Sequence, residues 1–155
     1  MNYHKYHKSL FLIIFFLSCF GLILSSYLLY VHYSPVESIC FFGEENNCDL
    51  VNKSVYSEIM SVPIAGIGVI GYLLFILTSL SVLFKHKLEN TWLESHSEKA
   101  TTYLLILALG ALAFTIYFNY LQIFVIGVIC PWCEVSAVIV VLLLTLSIWL
   151  KRKSL

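Results

Sequence analysis

The residues best suited to chemistry are cysteines, and four of the five fall into two pairs. Cys130 and Cys133 form a Cys-x-x-Cys unit, CPWC, at the mouth of a long apolar run. Seven residues separate Cys40 and Cys48 in the stretch SICFFGEENNCDLV. A thiolate attacks a disulfide sulfur through a mixed disulfide, so two neighbouring pairs can hand a bridge from one to the other.

The local sequence favours that chemistry at CPWC. Pro131 lacks an N–H and has a preset φ, which suits the first turn of a helix. Cys130 then falls near the N-cap and Cys133 at the third helical position, on a shared face. The positive end of a helix stabilises a thiolate. Two other uses stay open. One is a zinc half-site, although zinc wants four ligands and only His32 is near. The other is an inert structural bridge. In the loop, Gly43, Asn46 and Asn47 favour turns, so Cys40 can close on Cys48. That bridge can be a simple staple; beside CPWC, exchange between the pairs is the better reading.

Membrane helices must position these pairs. The chain is 60% hydrophobic and 12% charged, which excludes an ordinary soluble domain. Its zero net charge gives no sign of nucleic-acid binding. Segments 10–31, 63–84 and 100–121 hold no Asp, Glu, Lys or Arg, and segment 129–150 holds only Glu134. Each has 22 residues and can cross a bilayer as a helix. The first is too long for a secretory signal and no small-x-small site follows it, so it reads as retained.

Basic residues set the expected orientation. Lys5, Lys8, Lys85, Lys87, Lys99, Lys151, Arg152 and Lys153 lie on one side of these spans, and only Lys53 on the other. Both termini are expected in the cytoplasm. The 32–62 loop, with Cys40 and Cys48, and the start of the last span, with Cys130 and Cys133, are then expected on the outer side, where disulfides persist. After Cys48, Asp49 suits an N-cap, and Leu50, Val51, Val55, Ile59 and Met60 fall on one helical stripe. This predicts a short outer amphipathic helix holding Cys48 near CPWC. The expected fold is an all-α membrane protein, a four-transmembrane-helix bundle with that short helix, in one domain over 1–155.

Other features read as structural. GIGVIG at 66–71 matches a dinucleotide-binding pattern but lies inside a span, so its glycines read as close helix contacts. Glu134 reads as a boundary acid reaching water, and Cys19 as a packing residue. Tyr27, Tyr30, Tyr33, Tyr117, Tyr120 and Trp132 form an interfacial aromatic belt. With no flavin or haem motif beside CPWC, the economical electron acceptor is a quinone between the helices.

Taken in order, these motifs resemble the vitamin K epoxide reductase family, specifically its bacterial disulfide-forming members. The resemblance rests on Cys40 and Cys48, DxVxxSxY at 49–56, VPIAxxGxxxY at 62–72, and CPWC opening the last span. It implies a quinone-dependent thiol oxidoreductase. Cys40 would exchange with a partner protein, Cys48 would pass reducing equivalents to Cys130, and Cys133 would face a ubiquinone- or menaquinone-type quinone. Ser54 matches the family's hydroxyl residue and would support that site. Vertebrate members carry a tyrosine where Ala137 stands and an asparagine where Ile64 stands, which places vitamin K epoxide in doubt as substrate. Five residues follow the last span, so no fused thioredoxin domain is expected. The partner would be a separate thioredoxin-fold, DsbA-like protein, and the location a bacterial inner membrane with the redox cysteines on its periplasmic side. The alternative is a metal- or haem-handling membrane protein that uses CPWC as ligands.

Overall fold

A computed structural model describes residues 3–35, 40, 47–88 and 93–154 of the chain. Four long helices dominate: α1 (Tyr3–Tyr33), α3 (Ile64–Leu88), α4 (Leu93–Tyr120) and α5 (Pro131–Ser154). All four are long and apolar enough to cross a membrane, over Lys8–Tyr33, Ile64–Phe84, Glu98–Ile126 and Pro131–Arg152. Their principal contacts run α1 to α3, α3 to α4, α4 to α5 and α5 back to α1, which closes a bundle. Its core holds Phe11, Ile14, Leu24, Phe75, Leu104 and Leu143. Phe16, Ile23, Leu77, Ile116 and Ile148 point outward, as lipid-facing side chains do.

Helices in lipid gain nothing from burying apolar surface against each other, so small residues bring them close. A Cβ at Gly21 in α1 would collide with the ring of Tyr72 in α3. One at Gly68 would lie 2.9 Å from the Ser25 hydroxyl. Gly68 thus behaves as its span position predicts, whereas Gly71 faces open space. Two buried hydroxyls are satisfied within their own helices: Ser18 donates to the Ile14 carbonyl at 2.7 Å and Ser147 to that of Leu143 at 2.7 Å, whereas the buried Ser79 hydroxyl has no partner among the described residues.

The third span runs further than its apolar composition predicts. After Tyr120 the chain continues as a π-helical turn, Leu121–Ile126, and stops at Gly127 with φ 73°. The left-handed conformation is one that glycine adopts without a Cβ clash, so the helix ends here. The connection to α5 is therefore short.

The outer helix is also shorter than its apolar stripe predicts. α2 (Asn47–Asn52) has six residues, with Asp49 in its first turn rather than at its N-cap. Ser54 then donates to the Val51 carbonyl at 2.9 Å, and a 3-10 turn follows over Val55–Ser57. A hydroxyl that bonds the backbone offers an alternative to the helical ladder. A two-stranded hairpin, β1 (Glu58–Ile59) with β2 (Val62–Pro63), leads into α3. Of the expected stripe, Val51 is fully buried, while Val55 is 85% and Met60 93% exposed. The turns expected at Gly43 and Asn46 lie outside the described residues.

This loop is tied to α1 by two residues. Asn52 Nδ2 donates to the Leu28 carbonyl at 2.8 Å. His32 Nδ1 donates to the Asn52 carbonyl at 2.6 Å, and its Nε2 lies 3.1 Å from Glu58. His32 is thus engaged in docking the loop.

Two outcomes follow. Gly21→Val should cost about 1–3 kcal/mol by overpacking against Tyr72, read as a lower Tm in detergent. An unchanged Tm would mean that the ring has room to move. Asn52→Leu should remove a buried bond worth about 1–3 kcal/mol. Hydrogen exchange should then quicken over residues 47–57 and stay unchanged across the bundle core.

Candidate functional site

CPWC occupies the N-terminus of α5 as Pro131 predicts. Pro131 is the first helical residue and Cys133 the third. The Cys130 carbonyl accepts the N–H groups of Cys133 at 3.0 Å and Glu134 at 3.1 Å. The Cys130 sulfur accepts the Cys133 N–H at 3.3 Å, as an N-cap side chain does. Cys130 and Cys133 are free thiols whose sulfurs lie 2.6 Å apart, with the Cys133 thiol donating to Cys130. Disulfide bonding, at about 2.05 Å, needs only a small closing movement. Cys130 precedes the spanning helix, and its thiol is held below the ordinary range. The Cys133 thiol hydrogen bond is the main cause; burial opposes it, and backbone N–H groups of Cys133 and Trp132 reinforce it.

The second pair packs against the first. Cys40 and Cys48 are joined as a disulfide, with Cα atoms 6.3 Å apart. Cys48 and Cys130 are both fully buried, in one cluster with Val51, Phe118 and Leu121. Cys40, Cys133 and Trp132 pack on the edge of that cluster. All four paired cysteines therefore gather at one end of the bundle. Cys19 lies apart, half-buried within α1.

Cys133 also borders a cavity of about 450 Å³ between the helices. Its walls come from α1, α3, α4, α5 and the loop, and most of them are apolar, as with Phe75, Ile106, Phe114 and Val140. Gly71 and Gly110 line it, and a Cβ at either position would meet nothing within 4 Å. These glycines leave the space wide. Polar side chains collect near the cysteines: Asn52 and Ser57 from the loop, Thr115 and Asn119 from the end of α4, and Ser136 one turn beyond Cys133. The Tyr72 hydroxyl lies 2.8 Å from that of Ser136.

Several expected residues are now located. Ile64 and Ala137 both line the cavity, so apolar groups occupy the two positions where vertebrate members carry asparagine and tyrosine. Ser54 is spent on the Val51 carbonyl and does not line the cavity; Ser57, three residues on, does. None of the six belt aromatics lines it, whereas Tyr72 does. Tyr27 and Trp132 instead meet edge to face at 6.4 Å. Glu134 lies in the first turn of α5. Among the described residues, no group of three His, Cys, Asp or Glu side chains is placed to hold a metal.

The sequence reading missed Asn52, Ser57 and Gln122. Gln122 is fully buried and accepts the Cys130 N–H at 2.8 Å through Oε1. A lone amide in the apolar run 121–126 was the available signal, since polar groups in spans are costly without a task.

A model of the vitamin K epoxide reductase family matches residues 12–148, most of the chain, including both cysteine pairs and the cavity. No curated protein matches it. Members of this family are quinone-linked thiol oxidoreductases set in membranes. On the extent of that match, which takes in two spans whole and most of the other two, the chain is an integral membrane protein that belongs to the vitamin K epoxide reductase family.

Proposed function

We propose that this protein is a bacterial disulfide-generating member of the family, oxidising a thioredoxin-fold, DsbA-like partner outside the cytoplasm. One observation carries the reading. Cys130 is buried with Cys48 on one side, while its neighbour Cys133 borders the apolar cavity on the other.

The relay balances as two-electron exchange. A partner thiolate attacks the Cys40–Cys48 bridge at Cys40; the partner leaves as a disulfide, and Cys40 and Cys48 become thiols. Cys48 then attacks a Cys130–Cys133 bridge at Cys130, restoring the Cys40–Cys48 bridge and leaving Cys130 and Cys133 as thiols. A ubiquinone- or menaquinone-type quinone bound in the cavity supplies the remaining chemistry by accepting two electrons and two protons. The cavity suits such a group: it is largely apolar, lies between spans and has Cys133 on its wall. Asn52, Thr115 and Asn119 would hold the polar head there, since Ile64 and Ala137 cannot hydrogen-bond it and the Ser57 hydroxyl already donates to the Ser54 carbonyl.

Ser54 acts in this reading by closing the end of α2 and so holding Cys48 in place. The charge distribution supports cytoplasmic termini, with the cysteine end of the bundle towards the periplasm.

Purified protein supplied with a small dithiol should reduce a benzoquinone or naphthoquinone, and Cys133→Ser should abolish that turnover. Cys40→Ser and Cys48→Ser should lose oxidation of a protein dithiol while retaining quinone reduction driven by the small dithiol. No turnover with either quinone in the wild type would overturn the reading. Glu134→Gln should leave turnover within about twofold, because a boundary acid that reaches water carries no obligatory proton. A large loss confined to quinone reduction would make Glu134 a proton donor.

A further inference from the structure

The short connection between α4 and α5 is held by one residue. The Gln122 carbonyl accepts the N–H groups of Gly127 and of Val128, the latter at 3.1 Å. Its side-chain Oε1 accepts the N–H of Cys130 at 2.8 Å. Three of the four residues 127–130 leading into CPWC thus end their N–H groups on Gln122. The π-helical turn is what allows this: Gln122 is its second residue, and the turn brings that residue back under residues 127–130.

Gln122 and Cys130 are both fully buried. The Gln122 Nε2 has no hydrogen-bond partner among the described residues. Leucine fills similar space in this apolar run without burying an unpaired donor. The amide is therefore retained for the bond that it makes, and its free donor lies beside the Cys130 backbone because it shares a carbon with Oε1.

We propose that Gln122 is a positioning residue for the redox pair: by holding the Cys130 N–H it keeps the Cys130 sulfur at the N-terminus of α5 and so sets the reduction potential of CPWC. The consequence follows from the cap. The Cys130 sulfur receives the Cys133 N–H only while the Cys130 backbone is fixed in its N-cap conformation. A sulfur in that position is stabilised as thiolate, which favours the reduced pair and makes the disulfide a stronger oxidant. Without the side-chain amide, the Cys130 N–H loses its partner while the carbonyl of residue 122 still holds Gly127 and Val128, and the reduced pair loses that support. The inference rests on the redox role of CPWC, but its test needs neither quinone nor partner.

The test equilibrates full-length protein in detergent with mixtures of reduced and oxidised dithiothreitol at pH 7. Acid quenching and mass spectrometry then give the fraction of Cys130–Cys133 disulfide. In Gln122→Leu the equilibrium should move about tenfold towards the disulfide, a potential lower by about 30 mV. Where Gln122→Leu does not fold to a monodisperse species, Gln122→Met decides. It keeps the length of the side chain but offers no oxygen to the Cys130 N–H, and so moves the equilibrium the same way. A wild-type equilibrium in the folded Gln122→Leu, or in Gln122→Met when it decides, would overturn the proposal. If CPWC shifts as expected while the wild type reduces no quinone, the fault lies with the proposed function and not with Gln122.

Discussion

The N-terminus of α5 has to satisfy its backbone donors in a buried place, and most of the arrangement at this end of the bundle follows from how it does so. The first turns of a helix leave N–H groups without partners, and burial makes each one expensive. Pro131 removes one donor outright. The Cys130 carbonyl takes two more, and its sulfur also faces the Cys133 N–H. The residue proposed to react as a thiolate is thereby the cap of the helix. Structure and the proposed chemistry draw on the same residue, whose N–H is held by Gln122 behind it.

The bundle uses glycine in two opposite ways. Gly21 and Gly68 let α1 and α3 approach until Tyr72 and Ser25 occupy the space that side chains would take. Dispersion contacts drive helix association in lipid, so this close fit is where the bundle gains its cohesion. Gly71 and Gly110 do the reverse and leave the interior wide. Tyr72 joins the two regions. Its ring packs on Gly21, and its hydroxyl meets Ser136, one turn from Cys133 on the cavity wall.

The outer loop reaches the same centre through hydrogen bonds rather than a long amphipathic helix. Asn52 and His32 anchor it to the last turns of α1, which seats Val51 and Cys48 in the cluster around Cys130. The exposed Val55 and Met60 lie on the segment that leaves this anchor for the hairpin. Burial is concentrated where the two cysteine pairs meet.

The spans, the all-helical class and the two cysteine pairs were legible in the sequence alone. Long apolar runs leave a chain in lipid few conformations other than helix, and Pro131 beside Cys130 dictates a helix start through local geometry. The G-x-G-x-x-G match lies inside the span Ile64–Phe84, where Gly68 meets α1 closely and Gly71 does not. What the chain meets at a distance was not legible. The short α2 ends where Ser54 bonds the backbone, and the apolar period of 50–60 gave no hint of that competition. Ile64, Ala137 and Ser57 share one cavity only because three separate segments converge there. Gln122 looked like a stray polar residue until the π-helical turn brought it under Cys130. Periodicity and local caps are properties of neighbouring residues, so sequence alone determines them. Cavities and buried hydrogen bonds between segments depend on how helices pack, and tertiary structure alone decides those.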